Sequence, residues 1–353
     1  MNSIFYIGCY TQMLSQDFGG KGDGIYTIEI NNTSGKMRVL HMYSTTNPAY
    51  LVLSKNHQYL YALTEVSINE NPKVKAFKIQ EDYSLQLINE QTIDGDLPCH
   101  ITYANNGLLI ACYGSGNILL FPTKDNGEVL PSTQNFKHQG NSINLARQEA
   151  PHAHQAVVHP NGTDVFVPDL GIDLIKAYRF HNNALSAIKS NDIAVDKGGG
   201  PRHMVFNKNG DLGYLINELT GDISILKQKE GTFTFLKSVK SLPASYKEIP
   251  SGSAIRIHPN GKYLYAGNRT LDAITIFKIH GEDLELLSFQ PTEGKTLRAF
   301  NIILNGKWLI ACLQDSDEVI AYEITSSGKL LERSRNYNII SPVCVTSTIN
   351  LQY

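Results

Sequence analysis

The side chains in this sequence with the chemistry to act on a substrate fall at matched places. Residues 198–221 read GGGPRHMVFNKNGDLGYLINELTG, and residues 148–170 read QEAPHAHQAVVHPNGTDVFVPDL. In each, a basic residue opens an alternating apolar strand, an Asn-Gly pair makes a tight turn, and a second alternating strand ends on polar residues. Such a hairpin, read with a two-residue turn, brings its far end back to its beginning, so Arg202 is expected beside Glu218. A guanidinium against a carboxylate, with His154 in the matching place one repeat earlier, suits proton transfer and stabilisation of developing negative charge. A structural ion pair at a hairpin end is the plainer reading of the same two residues.

The same hairpin recurs at 47–65, 97–114, 251–269 and 296–314, so that six copies are visible at a spacing of roughly 50 residues. Their opening positions hold Ala49, Cys99, His154, Arg202, Ser253 and Arg298. Their closing positions hold Glu65, Tyr113, Leu170, Glu218, Arg269 and Gln314. A repeat with no task at this end would carry apolar or small residues there, whereas a histidine, arginines and glutamates converge. Two connections open on the same face. The longer, 131–150, carries Lys137, His138, Arg147 and Gln148, and the other ends in the triplet 198–200, which fits close approach of backbone to a ligand or a plain flexible link. Arg147, His152, Glu65, Arg298 and Gln314 are therefore the expected substrate-binding set.

Other groups invite chemistry less strongly. His152 and His154, two apart on an extended strand, share a face, but no third ligand stands at a recognised spacing, and no metal or other cofactor is expected. Asp169 with Asp173, and Asp315 with Asp317, sit in the turns before third strands, where aspartate serves the turn. Cys99 and Cys112 lie in strands without an obvious activating base.

The elements that position these residues form a repeating unit. Each hairpin is followed by a third alternating strand, such as VKAFKI from Val74 or AITIFKI from Ala273, and a weaker fourth, such as SLQLINE from Ser84. Four antiparallel strands repeated at this period make an all-β propeller, a pair of β-sandwiches being the alternative without the period. The chain ends supply a seventh blade: FYIGCYT, GIYTIEI and KMRVLHM lack a first strand, and SPVCVTSTI at Ser341 to Ile349 looks like it. The expectation is a seven-bladed β-propeller over 1–353, a single domain whose last blade is closed by N- and C-terminal strands. A net charge of -2 points away from nucleic acid and acidic membranes, and no stretch approaches a membrane-spanning length. The start lacks a basic, apolar leader, and five cysteines without CxxC spacing read as reduced thiols, so a cytoplasmic protein, a monomer or weak homodimer, is expected.

With the segments YIGCYT, NPAYLVLSKNHQYLYALTE, PCHITYANNGLLIACYGSG, PHAHQ, GPRHMVF, AIRIHPNGKYLYAGNR and NGKWLIACLQDSD in order, the chain resembles the bacterial seven-bladed lactonases over nearly its whole length. That family joins cycloisomerase-type 6-phosphogluconolactonases to 3-carboxy-cis,cis-muconate lactonising enzymes. The muconate branch is known for a catalytic His, Arg, Glu and Arg, and the resemblance implies that these fall on His154, Arg202, Glu218 and Arg269. It implies hydrolysis of 6-phospho-D-glucono-1,5-lactone, a small anionic sugar lactone, with Glu218 or His154 as the base. A muconate-type cycloisomerase and a non-catalytic binding propeller are the alternatives. Leu297-Arg298 stands where relatives have Pro-Arg, and Cys112 where an Asn precedes Tyr113-Gly114.

Overall fold

The structure, a computed structural model, describes residues 1–347. Seven antiparallel sheets of at least four strands stand side by side in a ring, which is a seven-bladed β-propeller. The blades pack face to face, so second strands such as Gly107–Cys112 and Leu212–Asn217 are buried on both sides, and their sequences are apolar almost throughout. Fourth strands such as Met37–Ser44 and Leu85–Thr92 lie at the rim, half exposed. This explains their weak sequence signal. Apolar clusters fill the spaces between blades; one joins Tyr214 and Ile216 to Leu264 and Phe277 of the next blade.

The ring closes where the sequence implies. Pro342–Ser347 pairs antiparallel with Asn2–Cys9, from Phe5 opposite Ser347 to Cys9 opposite Pro342. The expected strand runs on to Ile349; residues 348–353 lie outside the described residues.

The turns meet the two-residue expectation in one blade and exceed it in another. In the second blade Ala104 pairs with Gly107, and Asn105 and Asn106 both take positive φ (46° and 55°), as a two-residue I′ turn demands. In the blade of Arg202, however, the Asn207 N–H donates to Leu212 O at 2.9 Å and the Gly210 N–H to Asn207 O at 3.0 Å, leaving 208–211 as a longer loop. Gly210 supplies the left-handed residue (φ 77°) that a type I turn needs before the chain re-enters the sheet. Pro201 still pairs with Asn217, so the hairpin ends meet.

The strand expected to start at His154 is shorter than its relatives. Regular pairing covers Val157–Val158, with a separate bridge from Ala153 to Asp169. Pro168 on the neighbouring strand has no N–H to donate, although its carbonyl accepts from the His154 N–H at 3.0 Å. One element has no counterpart in the sequence reading: a small hairpin, Met13–Ser15 with Phe18–Gly19, inserted in the closing blade. Among the described residues no helix is long and apolar enough to cross a membrane.

Candidate active site

Glu218 is the centre of the mouth. Its N–H donates to Gly200 O at 2.7 Å, which fixes the residue at the strand end, and its side chain is 6% exposed. Arg202 Nε donates to Oε2 at 2.9 Å, Arg269 Nη2 lies 2.8 Å from Oε2, and Arg147 Nη2 donates to Oε1 at 2.6 Å. His154 Nε2 lies 3.9 Å from Oε2. Burial alone would push the carboxyl up, but the Arg269, Arg202 and Arg147 guanidinium groups outweigh it and hold Glu218 well below the usual carboxylate range. Both of its oxygens are thus engaged by guanidinium groups. His154 is driven the other way from an imidazolium: burial first, then Arg202, keeps it neutral, its pKa well below that of a free histidine.

Behind this group Arg202 also donates to Ser253 O and, at 3.3 Å, to His203 Nδ1. Cys99 Sγ lies 3.8 Å from His154 Nδ1 and 3.5 Å from His154 O. The base that the sequence did not reveal for Cys99 is therefore present, but burial pushes the thiol up and keeps it protonated. The two residues hold the matched opening positions of consecutive copies, 55 residues apart, so the repeat sets them in adjacent blades although neither strand alone announces the contact.

A second group faces the first across the mouth. Tyr10 O–H donates to Glu65 Oε2 at 2.8 Å and its oxygen accepts from Arg298 Nη2 at 2.9 Å. The Arg298 guanidinium stands 5.7 Å from the Tyr10 ring centre and 5.1 Å from that of Phe18, on the unforeseen hairpin. Arg298 contributes to the field on His154 and Arg202 and itself feels that of Glu218, so the two groups share one electrostatic setting. Tyr10 had a signal in the sequence: aligning YIGCYT with YAGNRT sets it at the closing position that Arg269 and Glu218 occupy.

Some expected members stand back. Gln314 donates from Nε2 to Gly19 O at 3.0 Å and so ties down the hairpin. His152 donates from Nδ1 to Tyr113 O at 2.9 Å, approaches Glu149 at 3.2 Å, and stacks on the Tyr113 ring at 4.4 Å. It props Tyr113, whose hydroxyl accepts from Arg147 at 3.2 Å and whose ring meets His154 edge-on at 5.6 Å. Among the described residues no group of three or more His, Cys, Asp or Glu is placed to hold a metal ion. The aspartates serve turns and loops. Asp169 accepts from the His152 N–H and bonds His138, while Asp173 accepts from Ser142, Gln148, Gly198 and Gly200. The Gly198 and Gly200 amides of the triplet thus go to Asp173, the Gly199 N–H goes to Asp196 O at 3.1 Å, and the two loops are bound together. In chemical terms the mouth offers guanidinium groups in excess of carboxylates, a neutral imidazole, and two carboxyl groups in unlike settings.

A family model described as "Lactonase, 7-bladed beta-propeller" matches residues 4–347. A 6-phosphogluconolactonase of Formosa agariphila is 32% identical over 88% of this chain and 91% of its own, and that of Bacillus subtilis is 28% identical over 97% of each. A solved structure from Bacteroides fragilis, 29% identical, superposes with a TM-score of 0.90 over 98% of each chain. With the propeller, the closing strand and the match across its length, this chain belongs to the seven-bladed β-propeller lactonase family.

Proposed function

We propose that the protein hydrolyses 6-phospho-D-glucono-1,5-lactone to 6-phosphogluconate, a step of the pentose phosphate pathway. The observation that carries this reading is the mouth itself: Arg147, Arg202, Arg269 and Arg298 face Glu218, the ionised carboxylate, and a neutral His154. An excess of guanidinium suits an anionic ligand bearing a carbonyl. His154, neutral and without a strong bond to either ring nitrogen, takes a proton from the attacking water. The imidazolium so formed lies 3.9 Å from Glu218, which stabilises it. Arg202 faces the developing oxyanion, and Arg269 with Arg298 holds the phosphate. Arg147, on its loop and 43% exposed, closes over the bound anion. His152 supports the site through Tyr113.

The relatives named 6-phosphogluconolactonase support the substrate class, and the arginine surplus supports its charge. The unpaired, buried cysteines suit a reducing compartment, the cytoplasm. We take 1–353 as a single domain acting as a monomer or weak homodimer. The test is proton release on adding freshly made phosphogluconolactone, corrected for spontaneous hydrolysis. Turnover of this lactone supports the reading. Turnover of a carboxymuconate alone would transfer the site to cycloisomerisation, and turnover of neither would leave a binding propeller.

A further inference from the structure

Hydrolysis of a sugar lactone ends with a poor leaving group. When the ring C–O bond breaks, the alkoxide oxygen needs a proton, and no residue assigned above supplies it. His154 is occupied with the attacking water, and Glu218 is ionised among three guanidinium groups. We propose, resting on the lactonase reading, that Glu65 is the general acid that protonates the leaving ring oxygen.

Its placement carries the assignment. Glu65 closes the hairpin of the first blade at the position Glu218 holds in the fourth, and it is 4% exposed. Backbone bonds to Asn47, at 3.0 Å from the Glu65 N–H and 3.0 Å from Asn47 Nδ2 to Glu65 O, fix the strand end. Tyr10 holds Oε2 at 2.8 Å, and among the described residues Oε1 has no hydrogen bond. One oxygen is thus anchored and the other left for a ligand. Arg298 reaches Tyr10 rather than the carboxyl, so the hydroxyl stands between guanidinium and acid. Glu218, by contrast, takes its guanidinium groups directly.

The electrostatics agree with this geometry. Burial raises the Glu65 pKa, and the opposing pulls of Arg298, Tyr10 and Arg202 do not cancel it. The remaining titratable neighbours, the Cys99 and Cys344 thiols, are themselves held protonated by burial. Two carboxyl groups in one cleft, one driven up and one driven down, is the arrangement that separates acid from anion. The step balances. Water adds to the carbonyl carbon and gives its proton to His154; the C–O bond then breaks with its electron pair passing to the ring oxygen, which takes the Glu65 proton. The new carboxylic acid ionises, the imidazolium proton returns through solvent to Glu65, and the net change is lactone plus water to hydroxy-carboxylate plus one proton.

The test compares leaving groups. For Glu65→Gln, turnover of phosphogluconolactone should fall by on the order of 10² to 10⁴, while an aryl lactone such as dihydrocoumarin, whose phenoxide leaves without help, should lose less than about tenfold. Equal losses on both substrates, or no loss on the sugar lactone, would overturn the proposal. A second measurement uses the wild-type protein and Tyr10→Phe on the sugar lactone alone. The Tyr10 bond stabilises the ionised carboxyl, so its removal should move the basic limb of kcat/KM to higher pH, and an unmoved limb would refute the assignment. Absence of any wild-type lactone turnover would instead fail the lactonase reading, which separates the two.

Discussion

Glu218→Gln removes the one ionised carboxylate that Arg147, Arg202 and Arg269 share, without changing the shape of the side chain. The Glu218 and Arg202 side chains are 6% and 3% exposed, so solvent cannot take over the orphaned charges. Breaking a buried ion pair by neutralising one partner costs about 3–5 kcal/mol. With an unfolding entropy of about 2 cal/mol/K per residue over this length, that loss lowers the melting temperature by about 4–7 °C. Turnover should fall by on the order of 10² to 10⁴, since His154 loses the anion beside its imidazolium. Millimolar inorganic phosphate should restore part of the melting temperature by sitting among the freed guanidinium groups. The folded pKa of Glu218 is depressed, so its contribution to stability is present above the unfolded carboxyl value, about 4.3, and is lost as pH falls below it towards the folded value. In the variant this stretch of the acid limb should flatten. Thermal unfolding and initial rates on one preparation read all of these effects. A variant with unchanged melting and near-normal turnover would refute both the energetic reasoning and the place of Glu218 in the site.

Three further outcomes are expected. His100, His154 and His203 all have folded pKa values well below that of free histidine, first because of burial, so their contribution is present above about pH 6.5 and shrinks as pH falls below it; thermal melts between pH 5 and 8 should show it, and His203→Phe should flatten the slope. Deleting 341–353 removes the strand that pairs with Asn2–Cys9 and should abolish cooperative unfolding, whereas a truncated protein with the original melting temperature would refute closure through that strand. Phe18→Ala removes one ring from the Arg298 guanidinium, a contact worth about 0.5–2 kcal/mol, and should raise KM roughly two- to thirtyfold with little change in kcat.

Much of this molecule was legible because a propeller states its geometry repeatedly. Period, alternation and the split blade at the chain ends led to the ring, and matched positions led to Arg202 beside Glu218. What stayed hidden was not periodic. The 13–19 hairpin interrupts the closing blade once, so no other copy announces it, and with it went the true partner of Gln314. The loop at Asn207–Leu212 came out longer than two residues because an Asn-Gly pair fits both a tight I′ turn and the end of a type I turn, and local sequence does not choose between them. Pro168 was visible, yet its effect depends on which residue stands opposite, a matter of register. Cys99 against His154 is a contact between neighbouring blades, and nothing in either strand's own pattern encodes it. Tyr10 lay within the alignment that revealed the seventh blade and needed only the same position to be read once more.

The closing strand also sets an order of events in the making of the protein. Ser347 Oγ bonds Ile4 O across 343 residues of sequence, and the Tyr10 N–H donates to Ser341 O. During synthesis the strand Asn2–Cys9 emerges before its partner Pro342–Ser347 and keeps an unpaired edge until that partner follows. Tyr10, the hydroxyl between Glu65 and Arg298, therefore gains this backbone support only after Ser341 has been made. A nascent or prematurely terminated chain would hold most of the blades and every arginine of the mouth, yet would lack the clamp that orders one side of it. Arrival of the closing strand and completion of the site are a single step, and the chain stalled before that strand is the form most exposed to edge-to-edge aggregation.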